Sequence, residues 1–131
     1  MTAYVDEHNL VEELMRTFPE LEDRYREEVM GSEEQRPSNY AVVGFVFKPR
    51  FKAELETGTI TDFLKRASQF IELVCKSGDP EAVNVIWIKL FEWLLVHPTE
   101  LRLLWPTLGP SAKAAIRDAA TRWSSLAAVP D

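Results

Sequence analysis

The feature that most constrains this chain is the run from Asp79 to His97, Asp-Pro-Glu-Ala-Val-Asn-Val-Ile-Trp-Ile-Lys-Leu-Phe-Glu-Trp-Leu-Leu-Val-His, its most apolar stretch. It predicts a helix with both ends specified. Asp79 can accept a hydrogen bond from a free N–H of the first turn, and Pro80 loses nothing by lacking an N–H at the first helical position. Pro98 disfavours helical geometry at His97 and stops the run. At about 100° per residue, Glu81, Asn84, Lys89 and Glu92 fall on one narrow polar stripe, and Val83, Ile86, Trp87, Leu90, Phe91, Leu94 and Leu95 cover the rest. A helix so apolar must be wrapped by other helices, leaving only the stripe for water or a partner. Asn84, Lys89 and Glu92 interrupt it well short of the ~20 apolar residues a bilayer needs. No membrane association is therefore expected.

The flanking sequence supplies the wrapping. Phe63, Leu64, Ala67, Phe70, Ile71, Val74 and Cys75 follow the helical period, and Thr59 with Asp62 reads as an acidic capping box that opens this helix. Only Ser77-Gly78-Asp79 separates it from the central run, which forces an antiparallel hairpin. Leu101 and Leu104 mark two inward-facing turns over 99–105. Pro110 then opens a last helix whose Ala112, Ala115, Ile116, Ala119, Ala120, Trp123 and Leu126 form an alanine-rich face.

Toward the start, Leu10, Val11, Leu14 and Met15 give an amphipathic helix over 6–16, broken by Phe18-Pro19. Leu21, Tyr25 and Val29 give a second one ending at Gly31. The polar segment from Gly31 to Asn39 reads as a loop. Tyr40-Ala-Val-Val-Gly-Phe-Val-Phe47 is β-branched and aromatic, and Lys48-Pro49 closes it, so the sequence predicts a short buried strand. Its partner would be a hairpin return through 50–55 or another copy of the chain. The expected fold is mainly α: a HEAT-like single domain over 1–131, with an extended or hairpin segment near 40–55. Its parts are an acidic helical pair over 1–30, loop and extended segment over 31–58, helical core over 59–126 and a frayed tail over 127–131.

Charge is divided unevenly. Residues 1–36 hold eleven carboxylates against four arginines, a net of −7, which leaves +1 for residues 37–131 out of an overall −6. Such a field repels nucleic acid and favours a basic partner. At 131 residues, 46% hydrophobic and 27% charged, the chain has the size and composition of one globular domain. One cysteine, Cys75, cannot form an internal disulfide, and the first residues lack a secretory signal, so a cytoplasmic setting is expected.

No catalytic chemistry is spelled out. His8 and His97 stand apart without metal-ligand spacing, which gives no zinc site, and His97 reads as a helix C-terminal cap. Cys75 lies on an apolar face, as a core thiol does. Glu12/Glu13 and Glu27/Glu28 point in different directions on solvated faces, and no phosphate loop or nucleophile elbow is present. The expectation is a protein without enzyme activity, metal or cofactor. Four tryptophans, Trp87, Trp93, Trp105 and Trp123, crowd the C-terminal half mostly as core, and Tyr40 is the preferred exposed aromatic anchor.

The unit Ser77-Gly-Asp-Pro-Glu-Ala-Val-Asn84 resembles the link inside HEAT- or armadillo-type helical hairpins, over residues 60–97. More broadly, Leu-Met-Arg-Thr-Phe-Pro-Glu-Leu near the start, Phe-Ile-Glu-Leu-Val, Phe-Glu-Trp-Leu and Leu-Gly-Pro-Ser-Ala-Lys are similar to a family of small bacterial helical proteins that look like immunity proteins of polymorphic toxins. The resemblance implies binding, not chemistry: the chain would hold a basic toxin domain and occlude it. The acidic segment then places the contact on Glu12, Glu13, Glu20, Asp23, Glu27, Glu33, Glu34 and Tyr40. The alternative is a helical adaptor or homodimeric scaffold, pairing through 40–47 or through the stripe of Glu81, Asn84, Lys89 and Glu92.

Overall fold

The N-terminal lead-in is fastened before any helix begins. Asp6 Oδ1 accepts from the N–H groups of His8 (2.8 Å) and Asn9 (3.1 Å), so helix α1 (Leu10–Thr17) starts four residues later than Asp6. Val5 N–H donates to Ser77 Oγ at 2.8 Å and Glu7 N–H to Asp79 Oδ2 at 2.9 Å, tying this end to the middle of the chain. The computed structural model describes residues 4–30, 37–123 and 128–130. Phe18 breaks the chain after α1, a 3-10 turn (Pro19–Leu21) follows, and α2 (Glu22–Met30) completes the acidic pair.

The predicted strand is a helix. Asn39–Val42, a π turn over Val43–Phe47 and Lys48–Glu56 join into one helix, α3, and the described residues hold no strand. Burial explains why β-branched residues yield here. Val42, Val43, Val46, Phe47, Phe51 and Leu55 are all buried, and their spacing is helical once Pro49 is no longer read as a stop. Pro49 has no N–H for the carbonyl of residue 45. The π turn widens the ladder just before it, and the Phe45 carbonyl accepts from Arg24 Nε at 3.1 Å. Ser38 caps this helix, accepting from Ala41 N–H at 3.0 Å. The loop expected over 31–39 lies outside the described residues except at its end.

Helix α4 (Asp62–Ser77) is capped by Thr61, whose hydroxyl accepts from Leu64 N–H at 3.2 Å. Thr59, the expected cap, instead bonds back to Thr57 within the turn. Gly78, at φ 75°, ends α4 in the left-handed region and makes the tight reversal. The central helix α5 then runs as Pro80–Ile86, a π turn over Trp87–Phe91 and Glu92–Leu95. Its ends match the sequence reading: Asp79 Oδ2 accepts from Ala82 N–H at 3.1 Å, and the helix stops before Pro98. Its outer stripe consists of Glu81, Asn84, Ile88 and Glu92, while Lys89 is half-buried, its stem packed against Gly44. Helix α6 (Pro98–Leu104, with a 3-10 turn over Trp105–Thr107) and α7 (Pro110–Arg122) complete the chain.

One contiguous set of buried side chains joins these elements, with α2 packing against it through the half-buried Tyr25. At its centre Phe18 lies 4.8 Å from Phe63 and 5.1 Å from Phe47, and Phe47 stacks on Phe51 at 5.4 Å. Edge-to-face and offset rings of this kind add about 0.5–1.5 kcal/mol per pair beyond their burial. The alanine face of α7 packs on α4, with Ala112, Ile116, Ala119 and Ala120 buried. Leu126 lies outside the described residues, and Ala128 and Val129 rest half-buried against the core. Of the tryptophans, Trp105 is buried, Trp87 and Trp93 are half-buried, and Trp123 is exposed. Among the described residues no helix is long and apolar enough to cross a membrane.

Candidate partner-binding site

Helices α1 and α2 and the start of α3 enclose an open groove of about 630 Å3. Val11, Met15 and Tyr25 supply its apolar part, and each also packs against the core. Glu7, Glu12 and Glu22 stand on its acidic rim, and Pro37, Ser38 and Asn39 close one side. The groove exists because Asn39 Nδ2 donates to the Glu7 carbonyl at 2.8 Å, holding α3 beside the lead-in to α1.

Of the residues singled out from the sequence, Glu12 is in this groove. Asp23 and Glu27, four apart on α2, are exposed. Glu13 is 7% exposed and pairs with Arg16, so its carboxylate is committed within the chain. Glu20 is held by Arg66, which donates to both carboxylate oxygens, at 2.9 and 2.5 Å, and also to the Thr17 carbonyl and Asp62. That clamp keeps the Glu20 carboxyl below its ordinary pKa, outweighing the effect of burial. It also seats the arginine over the Phe18 ring, 5.3 Å from the centroid. Glu20 thus docks the acidic pair onto α4. Tyr40 is half-buried, its hydroxyl accepting from Asn84 Nδ2 at 2.6 Å, so it joins α3 to α5 rather than standing free. Glu33 and Glu34 lie outside the described residues.

Glu7 and Glu22 were missed by the sequence reading. Glu7 precedes the helical pattern, and the bonds of its backbone to Asp79 and Asn39 bring it round to the rim. Glu12 and Glu22 each face an arginine one turn on, Arg16 at 3.2 Å and Arg26 at 3.1 Å. Exposed pairs of this type are worth about 0.3–0.5 kcal/mol, so a partner's cations can replace these arginines at little cost.

Other chemistry finds little purchase. No group of His, Cys, Asp and Glu able to hold a metal occurs among the described residues. Burial, aided by the Glu72 charge, pushes the Cys75 thiol up to about 12, the opposite of an activated nucleophile. His97 Nδ1–H donates to the Trp93 carbonyl at 2.8 Å and its ring stacks on Trp93, so it serves the end of α5 as expected.

No curated protein and no solved structure matches the chain. Residues 11–124, from the first turn of α1 through the end of α7, match the family described as Domain of unknown function (DUF7674), and the chain belongs to that family.

Proposed function

We propose that this chain is a non-catalytic binding protein of the immunity type, which captures a basic toxin domain in the groove between α1, α2 and α3 and occludes it. The observation that carries this reading is the groove itself: an apolar strip of Val11, Met15 and Tyr25 under an acidic rim of Glu7, Glu12 and Glu22. An apolar anchor beside complementary charge is what fast capture and slow release require. The net charge of −7 over residues 1–36 would steer a cationic partner toward this end. Two tests address the rim and the strip. Reversing Glu12, Glu22, Asp23 and Glu27 together to Lys is expected to weaken capture at low salt and to flatten its salt dependence. Met15→Glu is expected to speed release. Binding unchanged across both would remove this groove from the interface.

The second reading, a scaffold that pairs with its own copy, is favoured by one observation. Phe45 on α3 is 58% exposed and Ile88 on α5 is 40% exposed, and both lie on the elements where pairing was expected. Sedimentation at low micromolar concentration decides it. A dimer dissociated by Phe45→Glu supports pairing there, and a monomer at all concentrations removes it.

A further inference from the structure

Helices α3 and α5 lie side by side and run in the same sense. Tyr40 meets Asn84, Gly44 meets Lys89 and Lys52 lies over Trp93, pairings that advance together along both helices. Each helix carries a π turn, Val43–Phe47 in one and Trp87–Phe91 in the other, and the two turns face each other where Gly44 meets Lys89. Such turns are rare and often mark functional sites, because they re-aim the side chains around them.

What they aim here is charge. Lys48 and Lys52, one turn apart on α3, line an open concavity of about 490 Å3 with Gly44, Pro49 and Ala53. Lys89 arrives from α5 through the gap that Gly44 leaves: its ammonium nitrogen lies 3.5 Å from where a Cβ on Gly44 would stand. Among the described residues none of the three lysines makes an ion pair or donates a hydrogen bond, and Lys52 lies over the Trp93 ring, 5.5 Å from its centroid. Burial, then the charges of Lys52 and Lys89, hold Lys48 below the ordinary lysine pKa, and Glu92 does not offset them. Glu56 is the carboxylate on the lining of the concavity. Three half-buried lysines thus share this seam without an ion pair among the described residues, in a protein whose net charge is −6.

We propose that the Gly44–Lys48–Lys52–Lys89 seam is a binding site for a multivalent phosphate group. A compact anion with several negative oxygens relieves the mutual repulsion of all three lysines at once, which a single carboxylate cannot do, and lysine meets phosphate as a point charge with rotatable donors. Phe45, one residue after Gly44, and Ile88, one residue before Lys89, are both exposed and offer apolar support to whatever carries the phosphate.

The test is calorimetric titration of the full chain with sodium pyrophosphate, chloride holding the ionic strength constant. The expected result is saturable one-to-one binding with a dissociation constant on the order of 0.1–1 mM. Lys48→Met and Lys89→Met should each weaken it about tenfold or more. Lys76→Gln, an exposed lysine at the end of α4, should leave it unchanged. Thermal unfolding of each variant confirms that it is folded; relief of like-charge repulsion predicts no loss of stability. Absence of saturation, or equal weakening by all three substitutions, overturns the proposal. So does tighter binding of a tetraglutamate peptide than of pyrophosphate, which would assign the seam to an acidic protein segment. Vesicles of phosphatidylcholine with phosphatidic acid identify the source of the phosphate. Co-sedimentation that depends on Lys48, Lys89 and Phe45 assigns a lipid headgroup, and protein that stays in solution while binding pyrophosphate assigns a soluble compound.

Discussion

Replacing Gly109 by Ala should destabilise the fold through a residue far away in sequence. Gly109 precedes α7, and its φ of −80° is open to any residue, so backbone strain is not the reason. The reason is Glu72 of α4, whose carboxylate reaches across to the start of α7. Oε1 accepts from Ala112 N–H at 2.8 Å and Oε2 from Ser111 N–H at 3.2 Å, a cap supplied by another helix. A Cβ on Gly109 would stand 2.5 Å from Glu72 Cδ and 2.6 Å from Oε1, closer than atoms can approach. The flexible carboxylate must swing away and both bonds break. Losing a capping acceptor costs about 0.5–2 kcal/mol, and losing the negative charge at a helix start costs about 0.3–1 kcal/mol more. Gly109→Ala should therefore lose about 1–3 kcal/mol by urea denaturation with an unchanged slope. Glu72→Ala should lose a similar amount. Because both substitutions remove the same two bonds, the double variant should lose little more than either single one. Additive losses would refute the reasoning, since Gly109 and Glu72 would then act through separate contacts.

Arg66→Ala should cost about 1–3 kcal/mol, because it releases Glu20, Asp62 and the Thr17 carbonyl together, and thermal melts measure it. Glu20 and Glu54 both have depressed pKa values, Glu20 chiefly through Arg66 and Glu54 chiefly through Thr61 and then Arg50. Their stabilisation is present above the ordinary carboxylate value of 4.5 and is lost as pH falls through the lower folded values. Arg66→Ala should flatten that decline. Cys75, with its pKa pushed up to about 12, should resist iodoacetamide at pH 8 in the folded protein and react once urea unfolds it.

Helix positions were legible in the sequence wherever local signals and burial agreed. Asp79-Pro80 opens α5, Gly78 closes α4, and the alanine face of α7 packs as its period predicts. The segment 40–47 failed because its propensity and its Pro49 both argued for a strand, and two distant features reversed them. One is the burial of Val42, Val43, Val46 and Phe47 on a single face; the other is the donation from Arg24 to the Phe45 carbonyl. Neither is a local property. The same error hid Lys48 and Lys52 as a pair, since their four-residue spacing has meaning only on a helix. On the acidic face, composition located the charge in residues 1–36, but the carboxylates there were interchangeable until their partners within the fold were known. Arg66 takes Glu20 and Arg16 takes Glu13, leaving Glu12, Asp23 and Glu27 of the original set exposed, joined at the rim by Glu7 and Glu22.

The proposal is that this chain neutralises a basic partner by binding it, and the direct measurement is co-expression with the product of the neighbouring gene, which the proposal requires to be a toxin domain, followed by gel filtration. The account predicts restored growth and a one-to-one complex that weakens when Glu12, Glu22, Asp23 and Glu27 are reversed to Lys. Continued toxicity with both proteins soluble and eluting separately would contradict it.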